Sequence, residues 1–139
     1  MKTAMVFGTF DVLHLGHVDL LKQAKAAADR LIVVVATDAN AQKVKGQAPV
    51  HTQNERRALI AHIDLIDEAV IGDSADVYKV VRELQPDIIC LGYDQEAYVE
   101  KLQEMIANES LQIEVKRMTA YKPEQHKSGL IKSYISNMV

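Results

Sequence analysis

Two histidines three residues apart, His14 and His17, flank Leu15 and Gly16 in the run VFGTFDVLHLGH. Imidazole, with an ordinary pKa of about 6.5, is mostly neutral at pH 7, and a neighbouring polyphosphate would favour its protonation. The run places Gly8 at the carboxyl end of a first strand, then a short loop, then Gly16 and His17 at the mouth of an alanine-rich helix. A helix mouth attracts anions: its free amides and partial positive charge favour a phosphate by about 0.3–1 kcal/mol, and by about 2 kcal/mol when partly buried. Gly16 would let the phosphate approach the backbone. Two imidazoles converging on a phosphate whose charge shifts toward a leaving group would stabilise the transition state more than the ground state. The competing reading makes both rings capping or solvent-facing groups. An H-x-G-H string arises by chance in roughly one of a hundred chains of this composition, so its weight comes from its place at the end of the strand.

Five segments have the composition of strands: TAMVFGTF, LIVVVATD, EAVIGD, DIICLGYD and QIEVKRM. Between them apolar or alanine positions recur at helical spacing, with helices expected to begin near His17, Thr52, Ser74, Gln95 and Gly129. Strand and helix alternate, and the second and fourth strands are apolar on both faces. That order predicts an α/β fold, a Rossmann-like open parallel five-stranded sheet with helices on both faces. Such sheets bind ligands outside the carboxyl ends of their strands, where the winding reverses. Thr52 and Glu55 form a capping box opening the second long helix. The polar run NAQKVKGQAPVH before it reads as a long connection, a candidate binding lid.

The 139 residues suit one domain, expected to span 1–139, and a net charge of −3 offers no basic field for nucleic acid. The longest apolar run, LIVVVA, is too short to cross a bilayer, and Met-Lys-Thr leads into the first strand without a signal-peptide pattern. A cytoplasmic protein that engages neither nucleic acid nor membrane is expected. The single cysteine, Cys90, lies in a strand-like run and reads as a buried small hydrophobe.

Other residues divide between chemistry and structure. Asp11, at the turn after the first strand, could serve a site there or form an Asx-type turn or accept bonds from the next loop's amides. Asp38 ends the second strand on the same edge, with a cap or turn role as its alternative. Arg56 and Arg57 occupy the first turn of the capped helix, an unfavourable place for a cation unless an anion compensates it. Arg56 is chosen as the one that meets a ligand. Ser128 and Gly129 open the last helix, a second phosphate-binding terminus.

GTFDVLHLGH resembles the signature of the cytidylyltransferase-like nucleotidyltransferases, NERRAL resembles their helix with a triphosphate arginine, and LGYD their fourth-strand motif near the base. The resemblance covers nearly the whole chain. It implies a nucleotidyltransferase in which a phosphorylated acceptor attacks the α-phosphate of a nucleoside triphosphate, ATP or CTP, releasing pyrophosphate. It places His14 and His17 on the phosphates, the amides of Thr9 and Phe10 near the reacting centre beside Gly8 and Gly16, and Lys45 on triphosphate or acceptor charge. Arg56 would hold the β/γ end, Gly92 and Asp94 the nucleotide, and Ser128 the triphosphate. It implies magnesium carried with the nucleotide rather than by direct protein ligands, and leaves a homodimer open. VKG, PDIICLGYDQ and YKP are similar to features of archaeal-type FAD synthetases, which adenylylate FMN. Glycerol-3-phosphate cytidylyltransferases and sugar-phosphate nucleotidyltransferases are the alternatives, and a non-catalytic nucleotide sensor is the alternative of another class.

Overall fold

The computed structural model describes residues 1–120. The expected last helix and Ser128 lie outside the described residues. Five strands, β1 (Thr3–Gly8), β2 (Arg30–Val35), β3 (Glu68–Ile71), β4 (Ile88–Leu91) and β5 (Glu114–Arg117), form one parallel sheet in the order β3-β2-β1-β4-β5. Four of the five expected strand segments contain one of them, and the fifth, LIVVVATD, starts one residue inside β2. Winding proceeds one way from β1 to β3 and the other way through β4 and β5, so the reversal lies between β1 and β4. Gly8 pairs in register with Val35, and Val6 with Cys90. The carboxyl ends of β1, β2 and β4 therefore open on one crevice.

Successive strand side chains point to opposite faces, and the core divides accordingly. Ala4, Val6, Val33, Val35 and Cys90 pack on one face with Leu21 and Ala24 of helix α1 (Leu15–Ala26) and Ile60 of α3 (Gln53–Ala61). Met5, Ile32, Val34, Ile89 and Leu91 pack on the other with Val81 of α4 (Lys79–Leu84) and with Leu102 and Met105 of α5 (Val99–Asn108). The free thiol of Cys90 is wholly buried on the first of these faces, and desolvation raises its pKa. At the amino ends of the strands, the carboxylates of Asp29, Asp67 and Asp87 accept from the amides of Lys2, Leu31 and Thr3. These bonds fasten the end of the sheet opposite the crevice.

Three element boundaries differ from the expectation. Part of the polar connection is a helix, α2 (Asp38–Lys45), capped by Thr37, whose side chain accepts from Asn40 N, and ended by Gly46 at φ 81°. Its sequence DANAQKVK lacks an apolar stripe, so periodicity could not reveal it. The helix expected near Ser74 starts at Lys79, because the Asp73 carboxylate holds the amides of Ala75 and Asp76 in a turn. The helix expected from Gln95 starts at Val99, after a turn at Tyr98 with φ 66°. Thr52 and Glu55 form the expected capping box.

Candidate active site

A cavity of about 480 Å³ opens over the crevice. Its wall brings together Gly8, Thr9, Phe10, Asp11, His17, Lys45, Gly92 and Asp94, eight of the residues singled out in the sequence. His14 adjoins it, its ring stacked on that of His17 with centroids 3.9 Å apart.

The two histidines cap α1 reciprocally. Gly16 N donates to His14 Nδ1 at 3.0 Å, and His14 N donates to His17 Nδ1 at 3.2 Å. His17 N and Val18 N both donate to the His14 carbonyl. This revises the expectation that free amides at the helix mouth hold the phosphate: the amides of Gly16, His17 and Val18 are already engaged within the turn. The caps instead fix the chemistry of the rings. A nitrogen that accepts an amide proton carries none itself, so each neutral imidazole holds its proton on Nε2. Burial, then the neighbouring His14 and Lys45, push the pKa of His17 down to about 4, with Asp94 opposing them. His17 is thus a neutral donor at pH 7.

The turn before the helix is shaped around that ring. Phe10 has φ 53°, the left-handed region that a bulky residue enters at a cost of about 1–2 kcal/mol. The conformation folds the Phe10 ring over Gly8 and edge-on to His17, centroids 5.5 Å apart. A Cβ on Gly8 would lie 2.6 Å from the Phe10 ring, so glycine is required by contact rather than by φ.

Arg56 is not free to meet a triphosphate as expected. Its side chain is buried, with Nη1 donating to the carbonyls of Thr9 and Ala36 at 2.8 and 2.9 Å, Nε to His51 at 3.0 Å and Nη2 to Asp38 Oδ1 at 2.7 Å. The anion needed to compensate a cation in this first turn is the protein's own Asp38. Arg56 therefore ties the ends of β1 and β2 to the segment before α3. Because the C=O and N–H of a trans peptide point oppositely, drawing the Thr9 carbonyl onto the guanidinium turns Phe10 N–H away from it. Asp11 supports the same brace: its buried carboxylate accepts from Val50 N at 2.8 Å and His51 N at 2.9 Å. The expected bond to the next loop's amides is present.

On the β4 side, Gln95 spans the crevice: its Oε1 accepts from Gly92 N, and its Nε2 donates to Phe7 O. Arg117, at the end of β5, donates to the carbonyls of Gly92 and Gln95, both at 2.8 Å, and so fixes the loop that carries Asp94. Sequence reasoning missed this role, and missed Asn40, Val44, Val77 and Tyr98 in the wall. The Thr37 cap was the available signal for the α2 residues, because it sets Asn40, Ala41, Val44 and Lys45 at helical spacing. Among the described residues, no three His, Cys, Asp or Glu side chains gather as a metal cage.

The sequence and the fold have counterparts in other proteins. The profile of the cytidylyltransferase-like family matches residues 5–133. The FAD synthase of Thermoplasma volcanium is 37% identical over 139 residues, covering 100% of this chain and 97% of that one. The FAD synthase of Thermococcus sibiricus is 39% identical over 126 residues, covering 89% and 85%. A crystal structure described as the lipopolysaccharide core biosynthesis protein of Thermoplasma volcanium superposes with a TM-score of 0.82 at 40% identity, covering 88% of this chain and 99% of that one. The pantoate-beta-alanine ligase of Francisella tularensis shares the fold, with a TM-score of 0.63 at 17% identity over 95% of this chain and 65% of its own. Sheet topology, the capped histidine pair and full-length similarity agree: this chain belongs to the cytidylyltransferase-like family and is a nucleotidyltransferase.

Proposed function

We propose that the chain transfers AMP from ATP to FMN, forming FAD and pyrophosphate. The observation that carries this reading is the similarity to FAD synthases along the entire chain, 37% over 139 residues for the Thermoplasma volcanium enzyme. An acceptor phosphate oxygen attacks the α-phosphorus, and the bond to the β-phosphate bridging oxygen breaks. Pyrophosphate leaves with that electron pair. A phosphate nucleophile that is already ionised needs no general base, so the protein's part is positioning and charge stabilisation.

His17 and His14 supply Nε2–H donors to the triphosphate. A neutral imidazole in a partly desolvated site gives a directed hydrogen bond, and it gains positive character as negative charge builds on the leaving group. Lys45, on the cavity wall and near enough to His17 to depress its pKa, faces the phosphate of the acceptor. Phe10 N–H, oriented through Arg56, serves the reacting phosphate. Gly92 and Asp94 line the nucleotide side, and Ser128 is proposed to reach the triphosphate from the C-terminal segment. Enzymes of this type typically use a divalent cation. Here magnesium would enter as part of the nucleotide substrate, neutralising phosphate charge, with Asp94 and Glu96 the exposed carboxylates on the cavity wall. The proposal includes a single domain over 1–139, a cytoplasmic location and a homodimer.

One observation favours a second reading: the relative described by lipopolysaccharide core biosynthesis is 40% identical to this chain, which points to a sugar-phosphate acceptor. A pyrophosphate-release screen crossing ATP and CTP with FMN, glycerol 3-phosphate and hexose 1-phosphates separates the two. FAD formed from ATP and FMN supports the proposal. Turnover with a sugar phosphate and none with FMN overturns it.

A further inference from the structure

The cavity is lined on one side by α2 and on the other by the loop after β4. Each carries one side-chain amide, and the two are used differently. Gln95 has both ends of its amide engaged, Oε1 with Gly92 N and Nε2 with Phe7 O. Asn40, on the α2 side, is 7% exposed, and its Nδ2 donates to the Asp73 carbonyl at 3.1 Å. A carbonyl only accepts, so this bond fixes which way the amide faces and leaves Oδ1 as an acceptor on the cavity side. The Asp73 carboxylate holds the amides of Ala75 and Asp76, and Asn40 N donates to Thr37 Oγ1, so both partners are rigid. Oδ1 makes no hydrogen bond among the described residues.

The surroundings state what such an acceptor would meet. Ala41 and Val44 follow on the same face of α2, Val34 and Val77 complete the wall, and Val44 stays half exposed there. An apolar slot with one fixed acceptor suits a flat heteroaromatic ring carrying an N–H on its edge. Lys45 also lines the cavity from α2, five residues and about 7.5 Å along the axis from Asn40. The α2 wall therefore offers a cation, apolar side chains and an acceptor. A ring imide joined through a short polyol chain to a phosphate carries the complementary groups.

We infer that the α2 side of the cavity is the acceptor subsite, and that Asn40 determines specificity by accepting the imide N–H of the flavin ring through Oδ1. This rests on the FMN reading above. Discrimination comes from polarity: a site built to accept a ring N–H loses about 10- to 100-fold when that hydrogen is replaced, because the buried acceptor is left unpaired. Glycerol and hexose phosphates bring no ring to the slot.

The test compares FMN with N3-methyl-FMN as acceptors for ATP, in the unaltered protein and in Asn40→Ala, with FAD or its methylated analogue measured directly. The unaltered protein should lose 10- to 100-fold in kcat/KM on N3-methylation. Asn40→Ala should lose a similar factor with FMN, become indifferent to methylation, and keep its KM for ATP. Indifference of the unaltered protein to methylation overturns the inference even if Asn40→Ala fails to fold. A variant that stays equally sensitive to methylation, or changes chiefly in its KM for ATP, also overturns it. Absence of any turnover of FMN, with turnover of another acceptor, instead brings down the FMN reading and the inference with it.

Discussion

The Phe10 ring lies so closely on Gly8 that a Cβ there would stand 2.6 Å from Phe10 Cε2 and 2.7 Å from Cζ. That contact is how the end of β1 sets the position of His17, whose ring meets Phe10 edge-on. Gly8→Ala should therefore displace Phe10, cost about 1–3 kcal/mol by overpacking, and lower kcat as His17 shifts. Thermal unfolding and steady-state kinetics on one preparation check this. An unchanged kcat would show that the turn does not position the imidazole.

His17→Ala should cut kcat by about a hundredfold or more while unfolding stays cooperative, as expected for the loss of a transition-state donor. An unchanged rate removes His17 from the mechanism.

Much of this site was legible because local chemistry and global fold agree at residues 3–17. A β-branched and apolar strand, a permissive glycine and a helix mouth announce themselves at fixed spacing, so strand order and the histidine pair could be read together. Arg56 was legible only in part. Its conflict with the helix dipole was visible, but the compensating Asp38 is 18 residues away and is brought beside it only by the packing of α3 against β2. The same limit applies to Arg117 and the Gly92 carbonyl, separated by 25 residues. Asn40 stayed hidden because α2 is too polar to betray its helical face.

Arg56→Ala should destabilise the fold by about 3–5 kcal/mol, since three carbonyls and Asp38 lose a buried partner. Activity should fall with it, and Arg56→Lys should restore neither fully, because one ammonium cannot reproduce the planar fork. Denaturant unfolding together with nucleotide affinity decides the matter. An unaltered midpoint with only weaker triphosphate binding would return Arg56 to a direct ligand role.

The depressed pKa of His17 makes stability depend on pH. The folded state takes up this proton only near pH 4, whereas the unfolded chain takes it up near 6.5. Between these values the unfolded state holds more protons, so stability decreases as pH falls from about 6.5 to 4 and is flat for this group above that window. The interval from 6.5 to about 4 corresponds to about 3 kcal/mol. His17→Gln, which can still accept from His14 N, should remove that dependence. Parallel curves for the two proteins would contradict the assignment.

Lys45→Ala should raise the KM for the phosphorylated acceptor by about five- to tenfold, the worth of one exposed charge pair, with little effect on folding. Added salt should shrink the difference between the two proteins. A change confined to the KM for ATP would place Lys45 on the triphosphate instead.

The central claim is that two neutral imidazoles, each capping α1 through Nδ1, present Nε2–H to the triphosphate. Nitrogen-15 NMR of the His14 and His17 rings at pH 7, before and after adding magnesium with a non-hydrolysable ATP analogue, tests it most directly. The account predicts Nε2–H tautomers in the free protein and large shifts at both Nε2 nuclei on binding. Protons on Nδ1, or Nε2 signals that stay unmoved at saturating nucleotide, would contradict it.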